Sequence, residues 1–326
     1  MKLFLHKTTG VWIMLFALFL PFTYAFFPHI GIELTTNLSS ISEWIALHVF
    51  DTEIHASQIT SDSAAQFVQA ILLLFVSVPL AFLLGKQKRF SDRQISQFLH
   101  TAAAYILAFF LLKYGVDKLF QFQFYPPEPN TLFTPLGMLS KDILFWSSMG
   151  TSSSYNTFMG LSEVIPAFLL LHHRTRLLGG LIASGVLINV LMINFGFDIT
   201  VKLLSSYLVI VSCYVISPYL TTTLSFFLND SGHFSKPNMR VQMAPKARFI
   251  AKSVVVILLF IEVLLSYFQL GSFNGREMEK LPHFGSYAVE TTTDLFGTSN
   301  IQRIHIHSKG YLILEDHHGN FEDYPI

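Results

Sequence analysis

Apolar runs of membrane-crossing length recur along the whole chain, at residues 11–27, 65–84, 98–120, 157–171, 177–195, 201–227 and 253–270. A helix needs roughly 20 mainly apolar residues to cross a bilayer. The pattern predicts an all-α polytopic membrane protein with about seven transmembrane helices. The first run has the length of a signal-peptide core. It lacks a small-x-small cleavage site and is interrupted by Pro21 and Tyr24, so an uncleaved first helix is expected. Residues 30–63 form a polar segment without Lys or Arg. Within it, residues 41–50 are amphipathic at helical spacing, with Trp44 placed as an interfacial anchor. Residues 121–153 form a long segment with Pro126, Pro127, Pro129, Pro135 and Trp146, expected as an interfacial cap with aromatic belt residues.

After residue 270 the pattern changes. Residues 301–307 and 311–316 alternate around Ser308-Lys309-Gly310, which predicts a β-hairpin. An earlier strand is expected at residues 286–292. A tail of this size is near the lower limit for an independent core and is expected to lean on the membrane part or a partner. The chain thus divides into residues 1–97 (two helices and the amphipathic segment), 98–228 (a four-helix core), 229–270 (a basic loop and the last helix) and 271–326 (a β-rich tail).

Composition agrees with this picture. Of 326 residues, 52% are hydrophobic and 13% charged, against about 25% charged in soluble domains. Net charge is zero, which argues against a nucleic-acid partner. One cysteine, Cys213, permits no internal disulfide or Cys-x-x-Cys relay, and packing is its expected role. Basic residues cluster at Lys2–Lys7, in residues 85–93, at 172–176 and among Lys236, Arg240, Lys246, Arg248 and Lys252. Beyond Lys141 and Lys202 the opposite loops hold almost none. The positive-inside rule then places the N-terminus in the cytoplasm and the tail outside, as an odd number of spans requires.

The break in this apolar pattern at residues 192–206 is where chemistry is expected. Asn194, Asp198 and Lys202 are spaced i, i+4, i+8 and would share one face of a continuous helix. Gly196 suggests a turn instead, with Asp198 and Lys202 at the mouth of the next helix. By the predicted orientation, Lys113, Tyr114, Asp117 and Lys118 lie in the outer part of the third span and Glu163 in the outer half of the fourth. Asn189 and Asn194 approach the same side. Ionisable groups in such helices are costly and usually face a cavity or one another. The functional expectation is an outward-opening polar pocket with Lys118 and Glu163 as a buried pair. The competing expectation is a structural ion network, with Lys113 and Lys118 reaching the headgroups. Glu262 reads as a polar contact to the bundle or as part of the pocket. His172 and His173 beside Arg174 and Arg176 read as a cytoplasmic basic loop. His305 and His307 share one face of a strand, with His317 and His318 beyond the next strand; zinc binding is the lesser reading and ordinary surface-strand histidines the favoured one, so no metal ligand set is assigned. No P-loop, dinucleotide fingerprint, nucleophile elbow or His-Glu-x-x-His motif is present.

The stretch Leu112-Lys-Tyr-Gly-Val-Asp-Lys-Leu119, the stretch Met159-Gly-Leu-Ser-Glu163, the turn ending at Arg176 and the fifth span together resemble the DoxX family. Gly115 and Lys118 match its Gly-x-x-Lys pattern, and Gly160 and Glu163 match Gly-x-x-Glu. The likeness covers residues 100–220, and the added helices and tail resemble larger DoxX-like proteins. It implies a bacterial inner-membrane four-helix bundle, with relatives linked to quinone-coupled or redox-associated roles. The expected function is binding of a quinone or other small lipophilic ligand by Lys118, Glu163, Tyr114, Asn194, Asp198, Lys202 and Asn189. Whether the chain is an enzyme stays open. An envelope assembly factor that docks a protein partner through its tail is the second expectation. A small-solute transporter is the third, although the paired broken helices of that class are not apparent.

Overall fold

The computed structural model describes residues 2–22, 25, 30–50, 61–228, 239, 241, 243–270, 283–290 and 301–326. The helices are α1 (Lys2–Leu18), α2 (Ile30–Phe50), α3 (Ala64–Lys86), α4 (Asp92–Leu119), α5 (Pro129–Phe133), α6 (Lys141–Gly150), α7 (Ser153–Leu171), α8 (Arg176–Gly196), α9 (Lys202–Ile216), α10 (Leu220–Leu228) and α11 (Pro245–Leu270). A short 3₁₀ turn, Ser217–Tyr219, joins α9 to α10 at Pro218. Among the described residues, five helices are long and apolar enough to cross a membrane: Ala64–Lys86, Asp92–Leu119, Arg176–Gly196, Lys202–Ser225 and Pro245–Gln269. The chain is therefore a multi-span helical protein with a small sheet. α1 begins nine residues before the expected run and ends at Leu18, ahead of Pro21, which cannot continue a helix. The amphipathic stretch lies within the longer α2. Lys236 and Arg240 of the basic loop lie outside the described residues, whereas Lys246, Arg248 and Lys252 open α11.

Two compact units make up the chain: Met1–Gly115 with Leu161–Gln269, and Val116–Gly160 with Leu270–Ile326. The division differs from the sequence expectation, because the tail groups with the Pro-rich segment rather than standing alone.

In the first unit, one face of α1 is enclosed. Its Ile13 and Phe16 are almost wholly enclosed. The Trp12, Phe16 and Tyr207 rings pack together, Phe16 and Tyr207 at 4.7 Å between centroids. Side chains tie α1 to its neighbours through main-chain carbonyls. The Tyr207 hydroxyl donates to Ile13 O at 2.9 Å, Trp12 Nε1 to Ala70 O at 3.0 Å, and Gln69 Nε2 to Phe19 O at 3.2 Å. Lys7, read as part of a solvated basic start, is buried and donates to Asp92 at 2.6 Å. α7 and α8 approach closely at Gly179, where an added Cβ would lie 2.9 Å from the Leu170 nitrogen and the Pro166 oxygen. Glu262 of α11 accepts a hydrogen bond from the Ala25 amide at 2.5 Å, a polar contact within this unit. Cys213 is exposed on α9 rather than packed in the core.

In the second unit, β1 (Gly285–Ala288), β2 (Ile301–His307), β3 (Tyr311–Asp316) and β4 (Phe321–Pro325) form an antiparallel meander in the order β1-β2-β3-β4. The hairpin forms as the alternation predicts, with Gly310 at φ 82° in its turn. Residues 291–292 of the expected early strand lie outside the described residues. β4 was not foreseen, because Phe-Glu-Asp-Tyr-Pro is charge-rich and ends in proline. Its signal is the turn before it, where Gly319 takes φ 78°. Ser286, Arg303, His305, Ile313 and Glu315 fall on one face of the sheet by register. α5 packs against β1 and β2.

The contact at Gly179 gives a direct test. Gly179→Ala must move backbone and is expected to cost about 1–3 kcal/mol. Gly185→Ala meets nothing within 4 Å and should be neutral or stabilising by about 0.5–1 kcal/mol. Thermal unfolding of the two variants in one detergent checks the contrast.

Candidate functional site

The turn between α8 and α9 is organised by three acidic or amide groups. α8 runs through Gly196, and the left-handed residue is Asp198, at φ 55°, so the turn follows the glycine that suggested it. Asn194 is inside α8 and Lys202 begins α9. Asp198 is exposed and accepts from Lys202 Nζ at 2.7 Å. Asp62, which the sequence reading missed, accepts from the Lys202 amide at 2.7 Å and the Leu203 amide at 2.8 Å. It thereby caps α9, satisfying two otherwise orphaned donors with negative charge at the helix N-terminus. Asp62 is itself fixed at the start of α3, where Ser63 Oγ accepts from the Gln66 amide and Gln66 Oε1 accepts from the Asp62 amide at 2.9 Å. That Ser-x-x-Gln pattern is a capping box and was legible. The tertiary partner of the aspartate was not.

Of the other expected site residues, Tyr114, Glu163, Asn189 and Asn194 belong to the first unit and Lys118 to the second. Asn194 is buried, and its Nδ2 has no hydrogen-bond partner among the described residues. Asn189 is exposed on α8. Glu163 is buried within α7. With Gly179 against Leu169 and Leu170, antiparallel helices set Glu163 opposite a position on α8 roughly nine residues, or about 13 Å, from Asn194. The Tyr114 ring stacks on Phe110 in the first unit. Lys118 is buried in the second unit, its Nζ 5.8 Å from the centre of the Phe124 ring.

A second polar group in the helical unit was misread from sequence. Arg176, read as part of a cytoplasmic basic loop, is 3% exposed. It donates from Nη1 to His100 Nδ1 at 3.3 Å and to Thr101 Oγ1 at 3.2 Å, and from Nε to Leu170 O at 3.4 Å. A guanidinium only donates, so His100 Nδ1 is the acceptor and the ring carries its proton on Nε2. That Nε2 donates to Val215 O at 2.9 Å. Pro218 explains the need: it has no amide hydrogen, and the helix switches to 3₁₀ there. Ser217 Oγ takes up the Tyr214 carbonyl at 2.8 Å. Tyr214 stacks on His6 at 4.4 Å between centroids. The signal for Arg176 was its spacing, because Arg176, Gly180, Ala183 and Leu187 form one buried helical stripe.

The tail carries a third group. His305 is fully buried, so it is not the surface histidine its strand suggested. Its Nε2 lies 3.1 Å from Glu315 Oε2, and its Nδ1 lies 2.8 Å from Ser286 Oγ. Glu315 also accepts from Arg303 at 3.1 Å and 3.3 Å. Nε2 donates to the Glu315 carboxylate, and the Ser286 hydroxyl faces Nδ1. The order Ser-His-Glu is that of a hydrolytic triad, but the face is covered. Phe133 of α5 stands 5.6 Å from His305, Arg303 lies over Phe133, and Ser286 Oγ also reaches Pro129 O at 3.3 Å. Glu128 accepts from both the amide and the hydroxyl of Ser308, and His307 Nε2 lies 3.7 Å from the same carboxylate. The network locks the sheet onto α5. Burial pushes His305 below the ordinary imidazole range, the Glu315 interactions pull it back in part, and the Arg303 charge opposes protonation. Among the described residues, no group of three His, Cys, Asp or Glu is placed to hold a metal.

Comparison with known proteins yields little. No family model matches the chain, and no solved structure matches it. A 65-residue stretch, 20% of the chain, is 40% identical to a protein of Bacillus subtilis (strain 168) described as uncharacterized protein YwoB. The match spans 42% of that relative's length.

Two outcomes follow from this geometry. Asp62→Ala should cost about 1 kcal/mol, the usual value of a lost cap, read as a lower unfolding midpoint, with Asp62→Asn retaining most of it. His305 binds its proton less readily folded than unfolded, so its contribution to stability is full above the unfolded value of 6.5 and is lost as pH falls from there through the lower folded value. A magnetic-resonance titration should find the His305 transition below 6.5. A transition above that value would show that the Glu315 contact outweighs burial.

Proposed function

We propose that this chain is a multi-pass protein of a bacterial cytoplasmic membrane whose helical unit binds a small lipophilic molecule with a carbonyl-bearing head, such as a quinone. In this reading α1 and α7 complete seven spans, the N-terminus is cytoplasmic, the tail is extracytoplasmic, and residues 98–228 are a DoxX-like core. The role is accessory to a redox process. The carrying observation is Asn194, whose buried Nδ2 lacks a partner among the described residues. An unmet buried donor costs about 1–3 kcal/mol, and a carbonyl oxygen on a ligand would remove that cost. Glu163, buried in the same unit, supports the reading as a second polar group in an apolar helix. The Gly-x-x-Lys and Gly-x-x-Glu patterns support the DoxX assignment.

Gently purified protein, analysed by native mass spectrometry with lipid extraction, tests this. Wild type should retain a quinone or similar lipid. Asn194→Leu and Glu163→Gln should insert and fold yet lose it. Equal retention in folded Asn194→Leu would remove the ligand role of that amide.

A further inference from the structure

The buried Arg176 guanidinium is more than a helix tie. Its Nε and Nη1 are engaged by Leu170 O, His100 and Thr101, while Nη2 has no acceptor among the described residues. No carboxylate among the described residues pairs with it. A buried unpaired charge is among the most expensive features a helical bundle can hold. The groups around it add positive charge and donors rather than compensation. Lys252 of α11, half-buried, lies within electrostatic range of Arg176. So do the hydroxyls of Tyr105 and Tyr219. Neither hydroxyl has a hydrogen-bond partner among the described residues. The ring of Tyr219 is held by Leu177 and Ile216, with Met239 from the basic segment packed against them. His100 adds no negative charge, because its Nδ1 already accepts from Arg176.

We propose that Arg176, Lys252, Tyr105 and Tyr219 form a binding site for a phosphate-bearing anion. Two cations and two hydroxyls, all donors, suit the several acceptor oxygens and negative charge of a phosphate. The same chemistry is offered by an anionic phospholipid headgroup and by free phosphate. A basic pocket between membrane helices at the end where Lys and Arg cluster matches the first source. The site shares no residue with the Asn194 region and stands or falls independently of the quinone reading.

The test uses the full chain in neutral detergent, as wild type, Arg176→Met and Lys252→Met. Native mass spectrometry with phosphatidylglycerol against phosphatidylcholine reads the lipid arm, and thermal unfolding with added inorganic phosphate reads the free-anion arm. Wild type should retain phosphatidylglycerol selectively, and each variant should weaken retention by about fivefold, the size of one basic contact with an anionic headgroup. Stabilisation by phosphate, lost in the variants and without lipid selectivity, would assign the site to a free anion. Should Arg176→Met fail to fold, Lys252→Met decides, because its side chain is not part of the core. Wild-type protein that neither prefers phosphatidylglycerol nor responds to phosphate, or that matches Lys252→Met in both, would overturn the proposal.

Discussion

Polar groups in an apolar setting must find partners inside the chain, and the helical unit is built around that constraint. Its inter-helix ties are side chains reaching main-chain carbonyls of other helices. Tyr207 reaches Ile13, Trp12 reaches Ala70, Gln69 reaches Phe19, His100 reaches Val215 and Arg176 reaches Leu170. Each bond is directional, so each fixes rotation and depth of one helix against another in a way that uniform apolar packing does not. The 17-residue α1 is drawn into this packing by both kinds of contact. It supplies both an aromatic face and a carbonyl acceptor.

The two ends of the helical unit use charge differently. At the α8–α9 turn the charge is exposed or capping, as Asp62 closes α9 and Asp198 pairs with Lys202. These contacts shape a corner. At the other end Arg176 and Lys7 are taken into the interior. Lys7 meets a carboxylate on Asp92, and Arg176, among the described residues, meets neutral acceptors. The difference separates an ion pair from a cation held by neutral groups.

The tail shows the same logic in a small sheet. Its own apolar core is thin, with Ile313 as its buried aliphatic centre. A buried Ser-His-Glu-Arg network takes the place that further aliphatic residues would fill in a larger domain. Hydrogen bonds from both sides of His305 fix the orientation of the ring. The resemblance to a catalytic order is a consequence of cross-strand register, which places Ser286, His305 and Glu315 on one face, and α5 covers it.

The helical class, most helix positions and the tail hairpin were legible from hydrophobic period and turn residues, because those depend on local spacing alone. The Ser63-Gln66 cap and the Arg176 stripe were legible too, although the second was read as a basic loop since neighbouring His and Arg residues favoured solvent. Tertiary structure alone decided that Asp62 closes a helix 140 positions away and that Arg176 meets His100. These are long-range pairings. A sequence specifies which groups need partners, through burial and missing donors such as that of Pro218. Which partner each group finds depends on the packing of whole helices, and no local pattern encodes it.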